Sequence, residues 1–260
     1  MSATREVFFG ITASQQDAFY TAAAVATLIF VLGTWNRISV WTDGRDDEKF
    51  SGFTVLDFLV FAAKGFFSKN CILARKSFAL ATYRGVMLLF IIWGFATLFL
   101  GTVLLTIHHY STGFLFGDPY LVFSLSLDAA GLLLIIGLGI AIARRHLVPE
   151  VRRVTSAEDL LFLYLLLIIA LSGFIVEGMR LSIQNPLDMD YSPVGAMFTF
   201  LVKNLGFKAS DNFTSVWAIH AGSALMLIAY LPFSKLFHLF SAQVTVAAAE
   251  KRYGGAIGGN

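Results

Sequence analysis

Cysteine and charge are what this chain has least of. A single thiol, Cys71, in 260 residues excludes a disulfide framework, a cysteine-ligated zinc site and any iron–sulfur cluster held by this chain alone. It is read as a packed interfacial thiol. Charged residues make up only 14% of the chain against 57% apolar residues, with mean hydropathy +0.73. No soluble domain of this size tolerates that balance, so the chain is an integral membrane protein. A net charge of +2 without a concentrated basic field gives no reason to expect a nucleic-acid partner. The opening residues, Met1 to Gly10, lack the basic-then-apolar layout of a cleavable signal peptide, so the first apolar run is expected to remain as a span. There is no internal repeat and no sign of a second domain.

Five stretches are long and apolar enough to cross a bilayer, at about residues 18–35, 85–107, 120–143, 160–176 and 216–239. The fold class is therefore an all-α integral membrane bundle of five transmembrane helices. One membrane domain covers residues 1–240, and a tail that is disordered in part covers residues 241–260. Residues 50–67 are apolar but carry Asp57 and Lys64, a pattern that suits an interfacial helix. Thr155 and Glu158 have the spacing of a capping box ahead of the fourth span.

Basic residues set the expected orientation. Arg37, Arg45, Lys49, Lys64, Lys69, Arg75, Lys76 and Arg84 fall in the first connector, and Arg144, Arg145, Arg152 and Arg153 in the third. The second connector has neither Lys nor Arg. The positive-inside rule then puts the amino terminus outside and the carboxyl terminus in the cytoplasm, in a multi-pass protein of the cytoplasmic membrane.

The chemistry concentrates in histidines. His220 and His238 stand 18 residues apart on one apolar segment, which is five full helical turns and roughly 27 Å, about one hydrocarbon core. Both imidazoles therefore face the same way, one near each membrane surface, as two stacked haems require. Paired interface histidines are the plainer alternative. A bis-imidazole haem takes one ligand from each of two facing helices. At the outer level His220 is one, and His109 or His108, ending the second span, is the other. At the inner level His238 has two candidate partners, Met87 on the second span and His146 at the end of the third.

Three ionisable groups lie in or near the outer half of the bilayer. Asp128 stands in the third span, and Glu177 and Arg180, three residues apart and within pairing reach, end the fourth. Each has a structural reading, as a helix–helix hydrogen bond or an interface salt bridge. The functional reading gives proton handling to Asp128 or Glu177, with Asp128 otherwise a group that supports a haem ligand, and makes Arg180 or His108 a quinone anchor. A redox haem beside protonatable carboxylates suits quinol oxidation, in which electrons and protons leave by different routes.

Several segments resemble a known family. They are Trp93-Gly94-Phe95 with Leu98 to Thr102 in the second span and Tyr120 to Asp128 in the third. Gly173-Phe174 with Glu177 to Arg180 follows in the fourth, and His220 with Pro232 to His238 in the fifth. In that order they resemble the five-helix cytochrome b membrane subunits typified by the respiratory nitrate reductase gamma subunit. They are most similar to the membrane modules of heterodisulfide-reductase-like complexes and of electron-transfer flavoprotein:menaquinone oxidoreductases. The resemblance implies a quinol-linked cytochrome with one or two haems b, His220 and His238 as ligands, menaquinone as substrate and a cytoplasmic iron–sulfur partner. The chain departs from the family where histidines are expected on the second span, since Ile92 and Thr102, and Leu88 in related modules, stand there instead. His109, seven residues beyond Thr102, faces the same side, which favours it over His108. A haem-poor anchor that tethers a soluble oxidoreductase is the alternative function. A small transporter is a third, against which stand the odd span count and the lack of an inverted repeat.

Overall fold

The computed structural model describes residues 6–43, 60, 81–111, 113–184, 186–206, 208–235 and 237. The expected interfacial helix, apart from Val60, lies outside the described residues, as do Cys71, His238 and the tail. Seven α-helices are described: α1 (Ala13–Asp43), α2 (Thr82–Tyr110), α3 (Asp118–Leu147), α4 (Pro149–Val154), α5 (Ala157–Gln184), α6 (Pro193–Asn204) and α7 (Ala209–Tyr230). Among the described residues, five segments are long and apolar enough to cross a membrane: Ala13–Arg37, Thr82–Tyr110, Asp118–Leu147, Ala157–Gln184 and Ala209–Phe233.

The helices outrun the apolar windows that announce them. The fourth span continues past Val176 to Gln184 because its charges, Glu177 and Arg180, neutralise each other inside the helix instead of ending it. The fifth begins at Ala209 and gives way at Pro232, which has no N–H to donate, to a 3-10 turn, Leu231–Phe233.

The start of α5 corrects one expectation. Its capping box is Ser156 with Asp159, not Thr155 with Glu158. Ser156 N donates to Asp159 Oδ2 at 2.9 Å, and Asp159 N donates to Ser156 Oγ at 3.3 Å. Thr155 turns back to donate to Val151 O at 2.8 Å. Glu158 Oε1 instead accepts from Lys235 N at 3.0 Å and from Tyr230 Oη at 3.3 Å, so it ties the start of α5 to the end of α7.

Helix α3 packs against α2 on one side and α5 on the other, α5 packs against α7, and α7 against α1. The bundle is thus an arc, with the core between α3 and α5, where Leu134, Leu138 and Ala141 meet Leu163, Leu166 and Ala170, and Leu227 joins from α7. Small residues permit the close approaches, as is usual where lipid gives no hydrophobic drive between helices. A Cβ on Gly94 of α2 would fall 2.8 Å from Ala130 O of α3. The two ends of the arc, α1 and α2, meet where the Tyr20 and Tyr110 hydroxyls hydrogen-bond.

Between α5 and α7 the chain does not simply loop over the surface. Helix α6 lies in the bundle, with Thr199 Oγ1 donating to Gly178 O at 2.9 Å and Phe198 stacked on Phe174 at 5.5 Å. Pro193 opens it, at a position where the missing N–H is no loss. A Cβ on Gly178 would fall 2.8 Å from the backbone of both Phe198 and Thr199, and backbone cannot step aside as a side-chain tip can. Gly178→Ala is therefore expected to push α6 off α5 and destabilise the fold by about 1–3 kcal/mol. Gly139, with open space around its Cβ position, supplies the control. Thermal unfolding in detergent should be lowered by G178A and left unchanged or slightly raised by G139A.

Candidate functional site

His220 is the best-defined of the candidate ligands. It stands midway along α7 and faces α5, where its Nδ1 lies 3.1 Å from Ile169 O and 3.1 Å from Ser172 Oγ. A carbonyl oxygen only accepts, so Nδ1 carries the proton and Nε2 keeps the lone pair, the tautomer in which imidazole binds a metal. Ser172 Oγ also donates to Ile169 O at 3.1 Å, which closes a three-member network around the ring nitrogen. Gly173 completes the seat: a Cβ there would fall 3.1 Å from His220 Cε1. An alanine there would press on the imidazole, and a branched side chain would displace it from α5.

The two adjacent histidines at the end of α2 differ in what holds them. His108 Nδ1 accepts from the backbone N–H groups of Phe114 at 3.0 Å and Leu115 at 3.1 Å. Gly113, at φ 73°, turns the chain back to make this possible. With Nδ1 accepting, the proton of a neutral His108 sits on Nε2, which makes that atom a donor and a poor metal ligand. His109 has the ring edges of Phe8 at 5.6 Å and Tyr110 at 4.9 Å. The expected choice of His109 over His108 gains a physical reason here, because His108 caps the turn. Both histidines line a cavity of about 480 Å³ that also takes in Glu6, Phe8, Gln16 and Phe116.

His109 and His220 meet through intermediaries. Phe8 packs against His109 and also against Trp217, at 6.3 Å, and Trp217 lies three residues before His220, one turn of α7. The amino-terminal turn is pinned there by Gly10 O, which accepts from Thr214 Oγ1 at 3.4 Å.

Asp128, Glu177 and Arg180 are brought together, around the start of α6. Asp128, 5% exposed, accepts from Val194 N at 2.8 Å on Oδ2 and from Gly195 N at 3.0 Å on Oδ1. A carboxylate from one helix thus caps another, at the end whose dipole favours an anion. Arg180, 2% exposed, grips Glu177 side-on through Nη2 at 2.7 Å and Nε at 3.1 Å. It also donates to Gln184 Oε1 at 3.1 Å and Tyr120 Oη at 3.3 Å. The first turn of α6 rests on Glu177, since a Cβ on Gly195 would fall 3.2 Å from Glu177 Cγ. Ser124 and Ser192 hydroxyls join the same junction at 2.7 Å. Glu177 is one helical turn, about 6 Å along α5, from the Gly173 seat of His220.

At the opposite end, Met87 packs against the α3–α5 core. His146 Nε2 lies 2.9 Å from Tyr164 Oη at the exposed end of α3. Among the described residues no three His, Cys, Asp or Glu side chains gather closely enough to hold a bare metal ion. Sequence reasoning missed Ile169 and Ser172 behind His220, Phe8 beside His109, and α6 itself, while Asp128 takes its structural alternative, a hydrogen bond to another helix. Of these only α6 left a signal, the apolar run that follows Pro193.

The chain is similar to known proteins over most of its length. The family described as nitrate reductase gamma subunit matches residues 120–250, half of the chain, which includes α3, α5, α6 and α7. The EtfAB:quinone oxidoreductase of Syntrophomonas wolfei is 27% identical over 249 residues, covering 86% of this chain and 32% of that protein. One of the subunits of the dihydromethanophenazine:CoB–CoM heterodisulfide reductase of Methanosarcina barkeri is 23% identical over 228 residues, covering 85% and 74%. Its namesake in Methanosarcina mazei is 30% identical over 120 residues, covering 45% and 39%. The chain therefore spans about a third of the length of the Syntrophomonas protein. With its five spanning helices it is a multi-pass membrane protein, and it belongs to the nitrate reductase gamma subunit family.

Proposed function

We propose that this chain is the b-type cytochrome component of a membrane redox complex, exchanging electrons between menaquinone and a cytoplasmic iron–sulfur partner. The observation that carries the reading is His220, held by Ile169 O and Ser172 with the metal-binding nitrogen left as the acceptor. A ligating histidine is normally fixed in this way, by donating its other nitrogen to a carbonyl. The family match supports haem b, and the printed names of the relatives support a quinone and a redox assembly.

Haem b, when bound, supplies a one-electron couple. His220 would hold it from α7, and His109, whose ring is exposed beside Phe8, would hold it from α2. Ser172 and Ile169 O orient the imidazole, and Gly173 lets it lie flat on α5. The cavity beside His108 suits a quinone ring: His108 Nε2–H is a donor for a carbonyl oxygen, and Glu6 is an acidic group on the same wall. His108 is preferred to Arg180 as the anchor because the Arg180 guanidinium already serves Glu177, Gln184 and Tyr120. Asp128 and Glu177 act by holding α6 in place, one turn from the haem-ligating seat.

Three measurements test these roles. His220→Ala should abolish the b-type band in the reduced-minus-oxidised spectrum of the purified full chain, and Gly173→Val should do the same by displacing the ring. A band that survives H220A would overturn the ligand assignment, and its absence from the unaltered chain would leave the anchor reading. His109→Ala is expected to lose haem, whereas His108→Ala keeps the spectrum and raises the KM for menaquinol several-fold. The reverse pattern would exchange the two roles. Asp128→Asn replaces one acceptor oxygen with an amide donor, so one backbone N–H of α6 loses its partner. It should lower thermal stability by about 1–3 kcal/mol and leave the haem spectrum in place. A lost spectrum with unchanged stability would return Asp128 to the redox site.

A further inference from the structure

The corner between α3 and α4 lies at the other end of the bundle from the His108 cavity and takes no part in the proposed redox function. Helix α3 closes with Arg144, Arg145 and His146, Val148 N donates back to Arg144 O at 3.1 Å, and Pro149 starts the six-residue α4, which carries Arg152 and Arg153. Four arginines thus crowd one corner that has a single carboxylate, Glu150. The next acidic residues along the chain are engaged elsewhere, Glu158 with Lys235 N and Tyr230, and Asp159 with Ser156. Among the described residues none of the four arginines has an ion-pair partner. Arg145 Nη1 reaches only Ala141 O, at 3.5 Å, and Arg144 Nε is buried without any hydrogen bond.

The corner is also concave. His146, Leu147, Pro149, Arg152 and Arg153 line a cavity of about 430 Å³. Two apolar side chains flank the cations, Leu147 at 78% and Val154 at 79% exposed. Cations around a hollow at the end of a spanning helix, with bare aliphatic side chains next to them, match a molecule that is anionic at its head and hydrocarbon below. Planar guanidinium groups suit the oxygens of a phosphodiester, with which they form paired hydrogen bonds. The carbonyl end of α3 itself repels an anion, so the attraction must come from the arginines.

We propose that the α3–α4 corner is a binding site for an anionic phospholipid, with the headgroup phosphate held by Arg152 and Arg153 and the acyl chains beside Leu147 and Val154. The full chain, purified and loaded with phosphatidylglycerol or phosphatidylcholine, tests this by native mass spectrometry. Phosphatidylglycerol should be retained at least ten-fold better than phosphatidylcholine. Arg152→Ala with Arg153→Ala should erase that preference, Arg152→Lys with Arg153→Lys should keep most of it, and Lys203→Ala, at the other end of the bundle, should leave it untouched. Both arginines are exposed, so the helical content of the alanine pair should equal that of the parent. Equal retention of the two lipids, or a preference that survives the alanine pair, would overturn the proposal. Competition by millimolar glycerol 1-phosphate would also overturn it, since it would assign the corner to free phosphate esters.

Discussion

A buried carboxylate among apolar helices must be met by donors from the protein, because lipid has none to offer. Asp128 is that carboxylate, and its donors are the first free N–H groups of α6. Much of this end of the bundle depends on the arrangement. With α6 held by its amino end, Thr199 reaches Gly178 O, Phe198 reaches Phe174, and Val202 closes over Val176 and Met179. Those contacts cover the stretch of α5 one to two turns beyond the seat of His220. The pairing satisfies both sides at once: a helix start that would otherwise leave its N–H groups unmet, and an anion that would otherwise be stranded in hydrocarbon.

The Arg180–Glu177 pair obeys the same constraint and adds reach. Glu177 alone under the first turn of α6 would repel Asp128, and Arg180 alone would be a buried cation. Together they are neutral, and the remaining guanidinium donors extend to Tyr120 on α3 and Gln184 on α5. Side-on geometry makes the pair stiff, as two parallel hydrogen bonds resist rotation where one would not. A rigid, neutral junction one turn from the seat of His220 suits the proposed electron-transfer role, in which a stiff surrounding keeps the rearrangement between redox states small.

How far the sequence can be read follows from the range of the forces involved. The five spans are legible because each depends on its own apolar run, a local property. The seat of His220 is half legible: the helical spacing points to the residue, but not to Ile169 O or Ser172, since a backbone carbonyl on another helix leaves no trace in composition. Helix α6 reads as part of an outer loop because its cap, Asp128, lies some 65 residues earlier in the chain. Asp128 reads as a costly charge with a redox role, and the structure adds the tertiary partner that composition cannot show. The capping box slips by one residue because Thr155-Ser156 and Glu158-Asp159 offer two boxes of equal spacing. Lys235 and Tyr230 decide between them by engaging Glu158 from the far end of the fifth span. His108 and His109 can be ranked by helical phase, but the reason for the ranking, the turn through Gly113, exists only in three dimensions.

The two ends of the bundle treat charge in opposite ways. Around α6 the two buried anions, Asp128 and Glu177, are each matched within the protein. The stretch from Arg144 to Arg153 carries four arginines and one carboxylate, an excess of like charge that counterions or a ligand would relieve. Such an excess of like charge is tolerated at a membrane surface for a reason absent in bulk water. The anionic headgroup layer supplies a nearby field of opposite sign, worth about 1 kcal/mol per arginine near the surface. The corner is therefore a poor design for a soluble protein and a sound one for a helix end at the headgroup level. The same asymmetry gives the bundle a direction. One end satisfies its buried charges within the protein, while the arginine-rich end is left to bind the bilayer.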